Sequence, residues 1–283
     1  MSDDVRIAET RNTWEAAAAG WAKWERVLSR GLEPATDVLL DMAAVGAGAR
    51  VLDIASGAGH QTLQAARRVG SSGRVIASDI SATMLDNVRR NAQAAGLSNV
   101  TTVESAAEQL STADEPYDAA ICRLGLMLFP APSAAVSAVR RILKPGSRFA
   151  ALVFTTPANN PFMAQPMSIL LRHAGKKPPG PGLPGIFALG GDGVLEQLLA
   201  EGGLTSVDTK IIRGPLRLDR AEDALGMIQQ AFGAYRAVVA ELSDDEKAAA
   251  WSEVLQSLKQ FEGNYGFETE FEFIIGSGSS EQS

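Results

Sequence analysis

The sequence predicts an α/β fold, a mostly parallel sheet with helices on both faces, and three stretches predict it. The first is Val51-Leu52-Asp53-Ile54, an apolar run that ends in the small-residue turn Ala55-Ser56-Gly57-Ala58-Gly59 and leads into a helix-compatible run, Gln61 to Val69. The second is Arg74 to Ile80, another apolar strand, which carries Asp79 near its end and is followed by a helical run. The third is the apolar strand Tyr117 to Cys122, closed by Arg123. Strands alternating with helices in this way build a parallel sheet whose loops hold ligands at one edge.

Before the first strand, residues 13–44 hold Trp14, Trp21 and Trp24 with Val27, Leu28, Val38, Leu39, Leu40 and Met42. Their periodicity predicts two helices. The turn after the first strand suits an adenosine-containing ligand. Its glycines let the backbone approach closely, and free N–H groups at the helix start face polar atoms. A dinucleotide site would have a third glycine for close helix–strand packing. Here His60-Gln61-Thr62 follows Gly59, so that glycine is absent. Asp53, inside the strand end, can order the turn and take part in binding a cationic amine. This suits the amino-acid end of S-adenosylmethionine better than a pyrophosphate.

Asp79 stands where a second strand should offer an acceptor to both ribose hydroxyls. Such an acid serves NAD and S-adenosylmethionine alike, and it could equally be a helix N-terminal acid, because Ser81 can cap the run Ala82 to Ala95. That helix should end at Gly96. Later in the chain, Pro161 to Ala174 reads as a short helix with Met163, Met167, Ile169, Leu170 and Leu171. The Pro/Gly-rich stretch Lys176 to Gly185 cannot be regular structure, and a loop of this length is usually functional or disordered; a lid is the favoured reading. Gly193 to Gly202 reads as a helix and Ser206 to Ile212 as the sixth strand. Leu216 to Leu218 reads as a strand extension and Ala221 to Leu242 as one long helix. Ser243 and Glu246 form a capping box that opens a helix to about Phe261. Glu268 to Ile275 alternates as a final strand, and Gly276 to Ser283 reads as a polar, disordered tail.

Five segments, in order, resemble the class I S-adenosylmethionine-dependent methyltransferases, nearest the ubiquinone/menaquinone biosynthesis C-methyltransferase-like branch. VLDIASGAGHQT resembles the first motif and VIASDISATML the ribose-binding motif. TTVESAAEQL resembles the adenine-edge motif and YDAAICRLGLMLFPAP the fourth strand with the loop beside the methyl group. RRILKPGSRFAALVF resembles the turn and fifth strand. The resemblance covers about residues 45–155. It implies a Rossmann-like, seven-stranded, mostly parallel sheet with helices on both faces, plus N-terminal helices and a helical lid. The implied organisation is an N-terminal helical cap (1–44), a cofactor-binding core (45–155), a substrate lid insertion (156–204), C-terminal strands and helices (205–275) and the tail (276–283).

The resemblance also implies residue roles. Asp53, Ala55, Gly57 and Gly59 would line the methionine end of S-adenosyl-L-methionine, with Thr62 beside them. Asp79 would hold the ribose, and Ile80 and Met84 would pack on the adenine. Ala106 and Ala107 take the place of an Asp-Ala pair at the adenine edge. The chain therefore lacks the acid that accepts from the adenine amine, while the N–H of Ala107 can still bond a ring nitrogen. Glu108 keeps the next acid but should point elsewhere. Arg123 would pair with the cofactor carboxylate or orient substrate, with a plain surface arginine as the alternative. Leu124, Leu126, Met127, Leu128 and Phe129 would face the substrate pocket.

Composition bounds the partners. With 46% hydrophobic residues among 283, a large core is affordable. A net charge of −7 argues against a nucleic-acid target. The single cysteine, Cys122, excludes an internal disulfide and fits a reducing cytoplasm; with only two histidines it leaves little for a zinc site, composition leaves a carboxylate metal site open, and no metal ligand is assigned. Neither an export leader nor a membrane span is expected; a homodimer is compatible with this reading. The expected partner is a small, fairly apolar methyl acceptor, quinone-like, phenolic or of natural-product type, methylated on O or C. If a base is needed, His173 in the expected lid is the first candidate catalytic residue and Tyr235 the second, whereas His60 would support the glycine loop. The rival readings are an NAD-linked oxidoreductase and a non-catalytic S-adenosylmethionine-binding protein.

Overall fold

The computed structural model describes residues 3–111, 115–180 and 182–281. Residues 1 and 2 of the expected cap, residue 181 of the Pro/Gly loop and residues 282 and 283 of the expected tail lie outside them. The first half alternates as expected: α1 (Asp3–Met42), β1 (Arg50–Ile54), α2 (His60–Val69), β2 (Arg74–Asp79), α3 (Ala82–Ala94), β3 (Val100–Glu104), β4 (Tyr117–Arg123), α4 (Pro132–Ile142) and β5 (Leu143–Phe154). The second half adds α5 (Pro161–His173), α6 (Val194–Glu201), β6 (Thr205–Leu218), α7 (Ala221–Ala231), α8 (Gly233–Val238), α9 (Asp244–Leu258), the two-residue β7 (Glu262–Gly263) and β8 (Gly266–Ser279).

Seven strands lie in the order β3-β2-β1-β4-β5-β8-β6, and β7 pairs with β8 off this path. The neighbours from β3 to β5 are parallel, whereas β8 runs antiparallel to both β5 and β6. The chain steps outward from β1 to β3, then returns to the other side of β1 for β4 and β5. That reversal opens a crevice beyond the carboxyl ends of β1 and β4, the usual place for a ligand in an open α/β sheet. The central strands are mostly apolar because helices cover both faces. Val51, Leu52 and Ile54 and the run Ala119 to Cys122 are all buried.

Ser81 caps α3 by accepting from the Met84 N–H at 3.0 Å. The capping box of α9 forms as expected, with Ser243 and Glu246 bonding reciprocally.

Four expectations need correction. The N-terminal segment is one helix of 40 residues, not two, and it runs through Pro34. It crosses β6 where two glycines meet. A Cβ on Gly31 would stand 2.4 Å from the Pro215 carbonyl oxygen, and one on Gly214 would stand 2.2 Å from that of Gly31. The expected helix 221–242 is broken at Phe232 into α7 and α8. Arg236 explains how the break is tolerated, since its guanidinium donates to the carbonyls of Gln229 and Gln230 at 2.9 and 2.8 Å and so satisfies the end of α7.

The third correction concerns the tail. Residues 276–279 are the end of β8, with Gly276 opposite both Ala151 and Thr209. Ser277 and Ser280 are fully buried. These small residues are there because α6 presses on the strand: a Cβ on Gly276 would lie 2.8 Å from Leu195 Cδ2 and 2.9 Å from Leu199 Cδ1.

The fourth concerns the lid. Phe162 of α5 is fully buried among Phe261, Phe267 and Phe271, with ring centroids 5.8–6.3 Å apart. Met163 is buried as well, and its carbonyl accepts from Tyr235. The helix is therefore part of the core beside α8 and α9.

No helix among the described residues is long and apolar enough to cross a membrane.

Candidate active site

At the carboxyl ends of β1, β2 and β4 lies a cleft with about 1110 Å³ of empty space, counting its open mouth. Its floor is the turn after β1. Ala55 and Gly57 both take positive φ, 53° and 55°, which turns the chain sharply away from the strand. A Cβ on Gly57 would meet no atom within 4 Å, so the backbone here is open to whatever enters.

The turn is tied to the neighbouring strand by Asp79. One carboxylate oxygen accepts the Gly57 N–H at 2.8 Å and the other the Ser81 N–H at 2.9 Å. Asp79 is only 7% exposed. Burial pushes its pKa up, against the lowering effect of these backbone N–H groups. Each oxygen still has acceptor capacity, and Asp79 lies on the cleft wall.

Asp53 plays a different part. It is fully buried behind the turn and is absent from the cleft wall. Its oxygens accept from Thr62 Oγ1 at 2.5 Å and Gln61 Nε2 at 3.2 Å. Gln61 Nε2 also reaches the Ser56 carbonyl, so the carboxylate orders the turn through α2. Burial pushes the Asp53 pKa up to about 7, opposed by the bonds from Thr62 and Gln61 and by the charge of Arg123. Thr62 is likewise buried, and Gly59 packs on α3 at Val88. Of the residues expected at the methionine end, Ala55 and Gly57 line the cleft, while Asp53, Gly59 and Thr62 support it.

The expected adenine side comes together on one wall, where Ile80, Met84, Ala106, Ala107 and Glu108 all line the cleft. Glu108 turns its carboxylate toward the Ala131 N–H at 3.3 Å. Arg123, at the end of β4, also lines the cleft. Its Nη1 lies 2.9 Å from Thr36 Oγ1 and 3.2 Å from His60 Nδ1. His60 is a wall residue too, and its pKa is lowered to about 4 by burial first, then by Arg123 and Arg67.

The rest of the wall is apolar. Leu124, Leu128 and Phe129 face the cleft, whereas Leu126 and Met127 are buried away from it. Opposite them stands α1, which contributes Ile7, Trp14, Trp21 and Leu28. These four recur every seventh residue, so two turns of helix return each to the same face. That spacing is the sequence signal for which face of the expected N-terminal cap lines the cleft. The helix is clasped over the cleft by polar contacts. Arg11 Nε donates to the Ile80 carbonyl at 3.0 Å and pairs with Glu104 at 3.6 Å, and Glu15 accepts the Thr83 N–H at 3.4 Å.

The two candidate bases stand elsewhere. His173 Nε2 pairs with Glu253 at 2.9 Å and ties α5 to α9. Tyr235 is fully buried, donates its hydroxyl proton to the Met163 carbonyl at 2.8 Å, and has its pKa pushed up by burial. Neither reaches the cleft wall, and nor do Phe162, Met163, Met167 or Phe187 of the expected lid. The cleft is lined instead by α1, the expected N-terminal cap, and by His60 of α2. No group of three or more His, Cys, Asp or Glu among the described residues could hold a metal ion.

Residues 46–168 match a family model described as a methyltransferase domain. The ubiquinone/menaquinone biosynthesis C-methyltransferase UbiE of Pseudomonas aeruginosa is 38% identical over 122 residues, 43% of this chain and 48% of the relative. Residues 46–168 are thus similar to the class I S-adenosylmethionine-dependent methyltransferases over a methyltransferase domain. Its UbiE relative from Azotobacter vinelandii is 36% identical over 161 residues, 56% of this chain and 64% of that protein. The chain thus spans about half to two thirds of the curated relatives it matches. In fold, it resembles the crystal structure of the YcgJ protein from Bacillus subtilis, with a TM-score of 0.59 and 19% identity over 89% of this chain and 100% of the other.

Proposed function

We propose that the protein transfers a methyl group from S-adenosyl-L-methionine to an oxygen or carbon nucleophile of a small, fairly apolar acceptor, quinone-like, phenolic or of natural-product type. The observation that carries the reading is one cleft with two unlike kinds of lining. A buried carboxylate and an open glycine turn share it with an apolar set of tryptophan, leucine and phenylalanine.

The residues fit the cofactor. The open space over Gly57 admits a ligand against the backbone. Among the described residues, Ser56 Oγ and Trp21 Nε1 are buried polar atoms on wall residues without a hydrogen-bond partner. Asp79 would accept from the ribose hydroxyls, and Ile80 and Met84 would flank the adenine. Ala107 would offer its N–H to the ring edge, where Ala106 leaves no carboxylate. Arg123 would face the carboxylate. When bound, the cofactor supplies an electrophilic sulfonium methyl group.

The protein's own part is positioning. Trp14, Trp21, Leu128 and Phe129 hold a flat apolar acceptor and keep water out, and alignment of this kind can be worth as much as about 7–11 kcal/mol. The relatives' names support a ring-carbon acceptor, and the apolar wall supports a ring of either kind.

Titration calorimetry with S-adenosylmethionine, S-adenosylhomocysteine and NAD tests the first half of the reading. The two sulfur compounds should bind and NAD should not; binding of NAD alone would overturn it. A methyl-transfer screen over phenols, quinones and amines tests the second half, with turnover expected on the first two classes.

A further inference from the structure

We propose that His60 is a fixed hydrogen-bond donor to an oxygen of the bound ligands, held in its Nε2–H form by Arg123. The inference takes the identity of those ligands from the proposed methyltransferase reading; the state of the imidazole does not depend on it.

The argument starts from donor chemistry. A guanidinium has five N–H donors and no acceptor. Arg123 Nη1 stands 3.2 Å from His60 Nδ1, so Nδ1 must offer its lone pair. In a neutral imidazole the proton then resides on Nε2. Arg123 is itself fixed, because Nη1 also donates to the hydroxyl of Thr36 on α1 at 2.9 Å, and Thr36 is fully buried. Two cationic groups act on the ring, Arg123 from the end of β4 and Arg67 from its own helix, and burial adds to their effect. All three disfavour an imidazolium.

Geometry then gives the donor a use. His60 opens α2 directly after the glycine turn and lines the cleft together with Arg123 and the apolar stripe. Its Nε2 makes no hydrogen bond among the described residues and is not among the sealed polar atoms. The ring therefore presents one neutral N–H to the cleft. It cannot serve as a general base, since one nitrogen is engaged by Arg123 and the other already carries its proton. The matching ligand group is an oxygen lone pair, either a carboxylate of the cofactor or a carbonyl or phenol oxygen of the methyl acceptor.

Nitrogen-15 spectra of the histidine-labelled protein test the assignment without any turnover. With only two histidines in the chain, a His173→Gln control assigns both rings. At pH 7 His60 should show a protonated Nε2 and an unprotonated Nδ1; an imidazolium or a protonated Nδ1 overturns the proposal. His60→Gln keeps the pattern, since its amide oxygen can accept from Arg123 while its NH₂ donates to the cleft. It should hold S-adenosylhomocysteine affinity and acceptor KM within about threefold of the wild type. His60→Phe should lose about three- to tenfold in one of the two, the size of one net hydrogen bond. A loss in S-adenosylhomocysteine affinity assigns the donor to the cofactor carboxylate, and a loss in acceptor KM assigns it to the acceptor's oxygen. A folded His60→Phe protein unchanged in both overturns the proposal. If the wild type transfers no methyl group, the functional reading fails, while the spectra and the S-adenosylhomocysteine titrations still decide the role of His60.

Discussion

Replacing Asp79 with alanine should weaken two things at once, and the structure says by how much. The carboxylate holds the Gly57 N–H at 2.8 Å and the Ser81 N–H at 2.9 Å in a site only 7% exposed. Hydrogen bonds to an ionised acceptor are worth about 1.5–3 kcal/mol each. The gain is partly offset in the native protein, because burial makes the ionised form costly and raises the pKa. A net destabilisation of about 2–4 kcal/mol is expected from the two abandoned N–H groups. Cofactor binding should fall separately, by about 1.5–3 kcal/mol or roughly 10- to 150-fold in Kd, through loss of the bonds from the ribose. Urea unfolding of the free protein reads the first effect, and calorimetry with S-adenosylhomocysteine on protein shown to be folded reads the second. A folded Asp79→Ala protein that binds S-adenosylhomocysteine within threefold of the wild type refutes the ribose assignment. Unchanged stability refutes the anchoring role.

Asp53 gives a pH signature. Its folded pKa, about 7, is above the ordinary 3.8, so the folded chain holds more protons than the unfolded one between those values. Stability from this group therefore falls as pH rises from about 4 to 7. His60, lowered from 6.5 to about 4, acts in the opposite sense over its own window, so the Asp53 contribution is read as the difference between wild type and Asp53→Asn. That difference should grow toward pH 7 in favour of the variant, and a constant difference across the range would count against a buried, raised Asp53. Gly276→Ala should cost about 1–3 kcal/mol in denaturant unfolding, because its Cβ would stand 2.8 Å from Leu195 Cδ2; a neutral variant would mean that α6 moves aside freely. Hydrogen exchange should find α5 protected without ligand and residues 7–21 of α1, which Arg11 and Glu15 clasp over the cleft, slowed when S-adenosylhomocysteine binds. Equal protection of α1 with and without ligand would exclude a mobile cover.

What the sequence made legible is the part governed by local rules. The runs 51–54 and 74–79 are strands because they are apolar and bounded by turns. Ser81 and Ser243 cap because a hydroxyl before a helical run has an N–H to accept from. The cleft half formed by residues 55–57, 79–84 and 106–108 followed from the same units. What was missed depends on packing between distant segments. The glycines and serines of residues 276–280 have a linker's composition, and only α6 lying across the sheet reveals them as core. Phe162 and Met163 were apolar in a segment flanked by a loop, which is equally the pattern of a lid and of a buried helix. His173 was favoured over His60 by its expected place in that lid, and the arrangement of Arg123 against His60 joins residues 63 positions apart.

The position of β8 has a consequence for how the molecule is made. The strands β3 to β5 pair with neighbours that precede them or lie close by in the chain, so that half of the sheet can assemble as it leaves the ribosome. The strand β5 then presents a bare edge bearing Leu152, Val153 and Phe154, and β6 emerges with no partner of its own. Both must wait for β8, where Phe154 meets Phe273 and Ile211 meets Ile274. The β5–β8 join is the most non-local strand pairing in the sheet, and such closures are slow and leave adhesive strand edges exposed meanwhile. Chains stopped short of Gly266 should therefore stick to one another or to chaperones even though every residue of the cleft wall has already been synthesised.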